Sequence, residues 1–171
     1  MKKTVTILAS LVVVAAGASA APKKAAVAPI EAKSGSAVEG SATFKAKGGR
    51  VTMKVVVSGL EPGPHAIHLH EKGDCSAPDA MSAGGHWNPT SAAHGRWGTD
   101  PFHHGDIGNL TADAKGNAVL EFETDLWTIG GEAGTDILGK SVVVHASVDD
   151  FTTQPTGAAG ERIGCGVIRE K

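Results

Sequence analysis

Eight histidines occur in this 171-residue chain, and seven of them lie between positions 65 and 104. Such clustering in a chain with 4% aromatic residues indicates a ligand that several imidazole rings share. His68 and His70 flank one leucine on a predicted strand, so their side chains point to the same face, about 7 Å apart along the backbone. His145 ends a run of three valines on another predicted strand. Three imidazoles on strands suit a transition metal, and Cu(II) has the highest place in the affinity order for nitrogen sites.

A second group of potential ligands lies in a long segment rich in Gly, Pro, His and Asp. Three histidines and one carboxylate form the set His86, His94, His103 and Asp106. Three neutral nitrogens and one carboxylate match the four-ligand tetrahedral coordination of structural zinc. Binding of a metal also explains how a segment with so few large apolar residues becomes ordered. The sequence therefore predicts two metal sites.

Two histidines are left outside these groups, and one other chemistry uses the same residue types. We expect His65 to make structural hydrogen bonds and His104 to be exposed to solvent.

A zinc-dependent hydrolase is an alternative interpretation of the loop histidines. It requires an open position on the zinc ion, whereas four protein ligands would close the site. It also leaves the three strand histidines unexplained.

The elements that position these residues are predicted to be short β-strands. Strands at 41–45 and 51–57 flank a Lys-Gly-Gly turn, and the second alternates apolar and polar residues, which predicts a hairpin with one buried face. A second hairpin is predicted from 110–112 and 119–122 around a turn-rich cluster. No window shows a convincing helical period. Further strands are predicted at 67–70, 141–148 and 166–169. The expected fold class is all-β, an antiparallel sandwich or barrel, and the segment between His70 and Gly108 is too long for an ordinary loop.

The N-terminus has the composition of an export signal. Lys2 and Lys3 precede an apolar run at 5–16, and Ala18-Ser19-Ala20 supplies small residues for cleavage. We expect residues 1–20 to be a signal peptide. The apolar run is too short to span a bilayer comfortably, so an integral membrane protein is not expected.

The remainder of the chain is predicted to form one domain at 37–171, preceded by a flexible linker at 21–36 that is rich in Ala, Lys and Pro. Without Lys2 and Lys3 the chain has 14 basic and 18 acidic residues, a formal charge of −4. This charge makes nucleic acid a poor partner.

Two cysteines, Cys75 and Cys165, are predicted to form one disulfide bond, because an exported chain enters an oxidising compartment. The bond closes a loop of about 90 residues, for which chain entropy gives roughly 4 to 5 kcal/mol of stabilisation. Two free buried thiols are the alternative.

Several motifs together resemble copper/zinc superoxide dismutase, of the bacterial exported, periplasmic type. The resemblance extends from about Val38 to Ile168, and ligand types, ligand order and both cysteine contexts agree. It implies a Greek-key β-sandwich or barrel with long metal-binding and active-site loops. The motifs are His68-Leu69-His70-Glu71, Gly73-Asp74-Cys75, Gly85-His86-Trp87-Asn88-Pro89, Gly105-Asp106-Ile107-Gly108-Asn109, Val144-His145 and Gly164-Cys165-Gly166-Val167-Ile168, with His94 and His103.

The resemblance assigns a role to each residue. Asp149 corresponds to an outer carboxylate that joins a copper histidine to a zinc histidine. Arg162 corresponds to the guanidinium that holds the anionic substrate, and Thr156 lies on the active-site rim. The implied copper ligands are His68, His70, His86 and His145, and the implied zinc ligands are His86, His94, His103 and Asp106.

The implied activity is the disproportionation of superoxide to dioxygen and hydrogen peroxide, with one copper and one zinc ion per chain. Copper is alternately reduced and oxidised, and His86 releases copper and takes up a proton in the reduced state. A copper-storing module without turnover is the alternative, although this chain lacks none of the ligands. Segment 150–161 contains no Lys or Arg, and Pro155 occupies a position where many relatives have lysine. The sequence therefore does not identify the residues that steer the substrate. It does not give the subunit interface either, although the family includes homodimers.

Overall fold

The computed structural model describes residues 24–171, and these form one antiparallel β-sheet system with a single turn of 3₁₀ helix at Met81–Ala83. The strand order is β5-β4-β7-β8-β1-β2-β3-β6, and β9 pairs with β1. Strands far apart in sequence are therefore neighbours, which confirms the all-β, Greek-key prediction. The strands are β1 (Ala25–Ala32), β2 (Glu39–Lys47), β3 (Arg50–Ser58), β4 (Gly63–His70), β5 (Gly108–Ala112), β6 (Ala118–Thr124), β7 (Ser141–His145), β8 (Arg162–Val167) and β9 (Arg169–Glu170).

The predicted hairpin of β2 and β3 is confirmed. Lys47 pairs with Arg50 across a two-residue turn, and both turn glycines have positive φ (59° and 79°), as a type I′ turn requires. Along β3, buried and exposed residues alternate from Val51 to Val57. The buried side chains face the core, which contains Phe44 and Trp127.

The prediction of a flexible linker at 21–36 is wrong, because half of this segment, Ala25–Ala32, forms β1. Ala26, Ala28 and Ile30 alternate along the strand and are buried. β1 pairs with β2 along six residue pairs and with β8 at Glu31 and Ala32. The three buried side chains project to the core face of the sheet. The folded domain therefore begins before residue 37, and the predicted signal peptide at 1–20 lies outside the described residues.

The second predicted hairpin is wrong in its pairing. Its strands exist as β5 and β6, but β5 pairs with β4 and β6 pairs with β3. The turn at 113–117 therefore connects β5 and β6, the first and last strands of the strand order, which are not paired with each other. Asp113 stabilises this turn by accepting hydrogen bonds from the backbone N–H groups of Lys115 and Asn117.

β4 is buried on both faces, and this position determines where the site lies. Ile67 and Leu69 pack in the main core, whereas His68 and His70 alternate with them and face the opposite side. That side is covered by segment 71–107, which we call the metal loop. No helix among residues 24–171 is long and apolar enough to cross a membrane.

Candidate metal centre

Three of the histidines stand on neighbouring strands. His68 and His70 lie on β4, and His145 ends β7, which pairs with β4 from Ile67 to His70. A register irregularity between Val144 and His145 interrupts the ladder of β7 with β8 at that point. His70 Nε2 and His145 Nε2 are 3.4 Å apart. The strands thus bring together three rings from positions up to 77 residues apart in sequence.

His86 reaches the same place because the metal loop returns to β4. The N–H of Trp87 donates to the carbonyl of Leu69 at 2.8 Å, and the N–H of Leu69 donates to the carbonyl of Gly105 at 2.9 Å. A Cβ at Gly105 would stand 2.3 Å from the Leu69 carbonyl oxygen, so only glycine allows this close approach. These backbone contacts set the depth of His86 in the site.

The predicted ligands form two compact clusters that share His86. In each cluster one ligand atom per residue can be chosen so that all four atoms lie within 4.8 Å of one another, and every member is buried. The clusters are His68, His70, His86 and His145, and His86, His94, His103 and Asp106.

Asp106 is the centre of the second cluster. Its Oδ1 lies 2.8 Å from His86 Nδ1 and 3.1 Å from His103 Nδ1, and its Oδ2 lies 3.0 Å from His94 Nδ1. Zinc ligands at about 2.0 to 2.1 Å in a tetrahedron have neighbours roughly 3.3 Å apart. The observed separations are close to the edges of such a tetrahedron.

Buried ring nitrogens without a hydrogen-bond partner test whether the clusters fit metal ions. Among residues 24–171 these atoms are His68 Nδ1, His86 Nε2, His94 Nδ1 and His104 Nδ1, of which the first three belong to the clusters. Burying a polar atom without a partner costs free energy, so orphaned atoms of this kind require an explanation. His94 Nδ1 is near Asp106 Oδ2, yet the pair lacks hydrogen-bond geometry. A nitrogen and an oxygen that lie this close without a hydrogen bond can both be ligands of one metal ion. The residues of the two clusters therefore fit copper and zinc.

The opposite nitrogen of several rings is fixed by a hydrogen bond. Asp149 is buried and spans the two clusters, with Oδ2 2.9 Å from His68 Nε2 and Oδ1 2.9 Å from His94 Nε2. The Gly84 carbonyl lies 3.0 Å from His70 Nδ1. Such contacts orient the rings and leave the inner nitrogens free for a metal.

Two residues that support Asp149 were not assigned roles from the sequence. The Asn109 amide bonds both backbone groups of Asp149: its Nδ2 donates to the carbonyl at 3.0 Å, and its Oδ1 accepts from the N–H at 2.8 Å. Gly157 has φ 69°, and a Cβ there would stand 1.9 Å from Asp149 Oδ1 and 2.6 Å from His94 Nε2. Asn109 ends one of the quoted motifs and Gly157 follows Thr156, but only the fold shows which carboxylate they touch.

Burial keeps the rings of the first cluster neutral. Desolvation, together with neighbouring histidines, lowers the pKa of His70 and of His145 well below the ordinary value. Desolvation also lowers the pKa of His86 to about 4, although the Asp106 carboxylate opposes this shift. A metal binds the neutral imidazole, so these rings need not lose a proton near neutral pH.

The second cluster is more strongly anionic. Burial alone would raise the pKa of Asp106, but its contacts with His103 and His86 reverse this effect. Burial alone would lower the pKa of His94, but the adjacent carboxylates of Asp106 and Asp149 reverse it. The pKa of Asp106 is lowered, and the pKa of His94 is raised to about 9 by Asp106 and Asp149. Two buried carboxylates thus provide negative charge for a cation.

Arg162 lies at the edge of the first cluster. It pairs with His145 in the strand register, and its Nη1 donates to the Ala80 carbonyl at 2.9 Å. Its positive charge contributes to lowering the pKa of His70 and of His145. Desolvation lowers the pKa of Arg162 itself, and Asp79 opposes this effect. Thr156 is half-buried, on the segment that leads to Arg162.

The predicted disulfide bond between Cys75 and Cys165 is confirmed, with Cα atoms 5.8 Å apart. It joins the metal loop to β8, the strand that begins with Arg162. Cys165 is buried against Ala80, whose carbonyl accepts the Arg162 hydrogen bond. The bond therefore ties the neighbourhood of Arg162 to the loop.

For the two remaining histidines, the structure agrees with the prediction for His65 and disagrees with the prediction for His104. His65 has the structural role expected of it, since its ring nitrogens lie 3.0 Å from the His145 carbonyl and 2.8 Å from the Glu61 carbonyl. The expectation that His104 is exposed is wrong: it is half-buried and packs edge-on against Trp87, with ring centroids 5.7 Å apart.

Comparison with known proteins gives the family. The model of the copper/zinc superoxide dismutase family (SODC) matches residues 38–168. A Cu-Zn superoxide dismutase of Caulobacter vibrioides is 44% identical over 124 residues, 70% of this chain and 71% of the relative. An extracellular Cu-Zn superoxide dismutase of Caenorhabditis elegans is 36% identical over 135 residues, 75% of this chain and 60% of the relative.

Among solved structures, one titled as a crystal structure analysis of the clock protein EA4 superposes with a TM-score of 0.75 at 33% identity. The match covers 85% of this chain and 94% of that one. The match to the family model covers more than half of the chain and includes both clusters. The chain therefore belongs to the copper/zinc superoxide dismutase family and disproportionates superoxide with one copper and one zinc ion as cofactors.

Proposed function

We propose that the two clusters are the copper and zinc sites of this enzyme, with His86 shared between them. The observation that carries this assignment is the set of buried ring nitrogens that have no hydrogen-bond partner yet face the cluster centres. The proposed copper ligands are His68, His70, His86 and His145. The proposed zinc ligands are His86, His94, His103 and Asp106.

When bound, copper supplies the one-electron redox couple for both halves of the disproportionation, and zinc supplies fixed charge and geometry. Burial keeps the imidazoles of the proposed copper ligands neutral, and hydrogen bonds orient the rings. Asp149 keeps the His68 and His94 rings turned so that their Nδ1 atoms face inward. Two superoxide ions and two protons yield one dioxygen and one hydrogen peroxide. His86 is the residue we propose to hold and pass on a proton.

Arg162 is proposed to bind the substrate anion. Its guanidinium remains charged at any relevant pH and offers several N–H donors, of which one is used on Ala80. Without Lys2 and Lys3 the chain has a formal charge of −4, so attraction of an anion must be a local effect of the site. Thr156 is proposed as part of the rim through which superoxide enters.

Metal analysis of two variants tests the ligand assignment. His145→Ala should lose copper and superoxide-decay activity but keep zinc, whereas His103→Ala should lose zinc first. Retained turnover in His145→Ala would contradict copper catalysis at this cluster. The same data separate the alternatives: a copper-storing module would bind both metals without turnover, and a hydrolase would depend on His103 and not on His145.

We propose further that residues 1–20 are removed on export and that the enzyme acts in the periplasm or outside the cell. The disulfide bond supports this proposal, because such bonds persist in oxidising compartments. N-terminal sequencing of the exported protein should begin at Ala21. A homodimer, which some relatives form, is proposed on the resemblance alone, and sedimentation equilibrium should give twice the chain mass.

A further inference from the structure

The zinc ligand His94 is held from two directions by the same segment, residues 149–161, which we call the rim loop. Asp149 bonds the ring of His94. The Gln154 amide bonds its backbone: Oε1 accepts from the His94 N–H at 2.9 Å, and Nε2 donates to the His94 carbonyl at 2.9 Å. The ring and the peptide groups of one residue are thus attached to another loop about 60 residues away in sequence.

The hydrogen bonds from Gln154 are important because the His94 backbone has few other contacts to hold it. Buried backbone N–H and C=O groups require partners, and here one side-chain amide supplies both. Trp97, three residues beyond His94, packs against Phe122 and Trp127. The residues directly beside His94 are small or polar and give its backbone no such apolar anchor. One nearby contact between the loops is the Arg96 guanidinium over the Phe151 ring, 3.8 Å from its centroid. The position of the His94 backbone therefore depends on polar contacts.

The same arrangement occurs once more in the site. Asn109 bonds both backbone groups of Asp149 with its amide, as Gln154 does for His94. Two amides therefore hold the two ends of the Asp149–His94 hydrogen bond. An amide is required in each case, because one atom must donate and the other must accept.

We propose that Gln154 is a positioning residue for the zinc site: its amide fixes the His94 backbone so that Nδ1 stays directed at the zinc position. The inference rests on the proposed role of His94 as a zinc ligand. Gln154 touches neither substrate nor metal, and its effect passes through His94. Residues that orient a metal ligand typically change metal affinity by about 10- to 100-fold when replaced.

The test compares zinc loss from four metal-loaded proteins: wild type, Gln154→Ala, Gln154→Glu and the control Thr99→Ala, which alters an exposed side chain of the metal loop. Zinc transfer to a chromogenic chelator should be about 10-fold faster in Gln154→Ala, with copper loss unchanged. Gln154→Glu should behave similarly, because a carboxylate can accept from the His94 N–H but cannot donate to its carbonyl. With Co(II) in the zinc site, the visible spectrum should change in both Gln154 variants and not in Thr99→Ala.

Three results would overturn the positioning role: zinc loss from Gln154→Ala equal to that from Thr99→Ala, zinc loss from Gln154→Glu equal to wild type, or equal acceleration of zinc and copper loss. The proposed ligand set fails in a different way. A wild type that takes up no zinc overturns both proposals, whereas a zinc-loaded wild type with an unaffected Gln154→Ala overturns only the inference about Gln154.

Discussion

The copper cluster and the zinc cluster share His86, but the chain builds them by different means. Three of the four copper ligands, His68, His70 and His145, stand on paired strands of the barrel. The zinc ligands all lie in the metal loop, the 37 residues between β4 and β5. Strands fix their side chains through the hydrogen-bonded ladder and the core. The metal loop packs Trp87 and Trp97 against the core, but no ladder of strands holds its ligands. The constraints on these ligands are Asp106, Asp149 and the metal once bound.

Removal of both metals should separate the two clusters most strongly. Without zinc, three histidines and Asp106 lose the ion that joins them, because binding free energy at such sites is also folding free energy. We expect backbone amides of the metal loop to exchange hydrogen at least about 1,000-fold faster in the metal-free protein, as local opening allows. Amides of β4 and β7 should keep most of their protection.

Hydrogen exchange followed by mass spectrometry would measure this difference. Reloading with zinc alone should restore protection in the metal loop, which provides the control. Equal loss of protection in the loop and in the strands would show that the copper cluster is no better preformed than the zinc cluster.

Asp149→Asn tests the connection between the clusters. The amide can accept from one ring N–H but presents an N–H to the other, so the bridge between His68 and His94 is broken without loss of volume. We expect zinc affinity to fall by about 10- to 100-fold and copper affinity to fall less, because the strands hold the other copper ligands.

Competition titrations with chelators of known affinity would measure both constants. Asp150→Asn is a matched control on the neighbouring carboxylate, which bonds the backbone of Thr152 and Thr153. A larger fall in copper affinity than in zinc affinity would contradict the claim that the strands hold the copper ligands more firmly than the loop holds the zinc ligands.

Arg162→Ala should affect the copper side alone and should disturb the structure least. The expected result is full metal content with superoxide turnover reduced by about 10-fold, and with weaker dependence on ionic strength. Arg162→Lys should recover part of the rate, because the charge remains while the fork of donors is lost. Pulse-radiolysis rates at several salt concentrations would show this, and unchanged kinetics in Arg162→Ala would remove the residue from the site.

The same contrast explains what could be predicted from the sequence. The strand histidines followed from alternation beside Leu69 and from the valine run before His145, both of which are local patterns. The disulfide bond followed from a count of two cysteines in a chain with an export signal. The loop set of His86, His94, His103 and Asp106 followed from residue types within one segment. The sharing of His86 came from family resemblance, because no local pattern shows that one loop histidine also reaches the strand histidines.

The failures have a common physical cause. β1 was missed because two of its three buried residues are alanines, and the composition of the segment does not reveal its pairing with β2 and β8. His104 was taken as exposed because its packing on Trp87 depends on the fold of the metal loop. Gln154 is polar and lies on a loop, so nothing near it in sequence indicates its contact with His94.

The central claim is that His86 lies between two different ions, and anomalous X-ray scattering from crystals of the metal-loaded protein tests it most directly. Difference maps collected on either side of the copper and zinc absorption edges should place copper among His68, His70, His86 and His145. They should place zinc among His86, His94, His103 and Asp106. Both ions in one cluster, or an ion-free His86, would contradict the account.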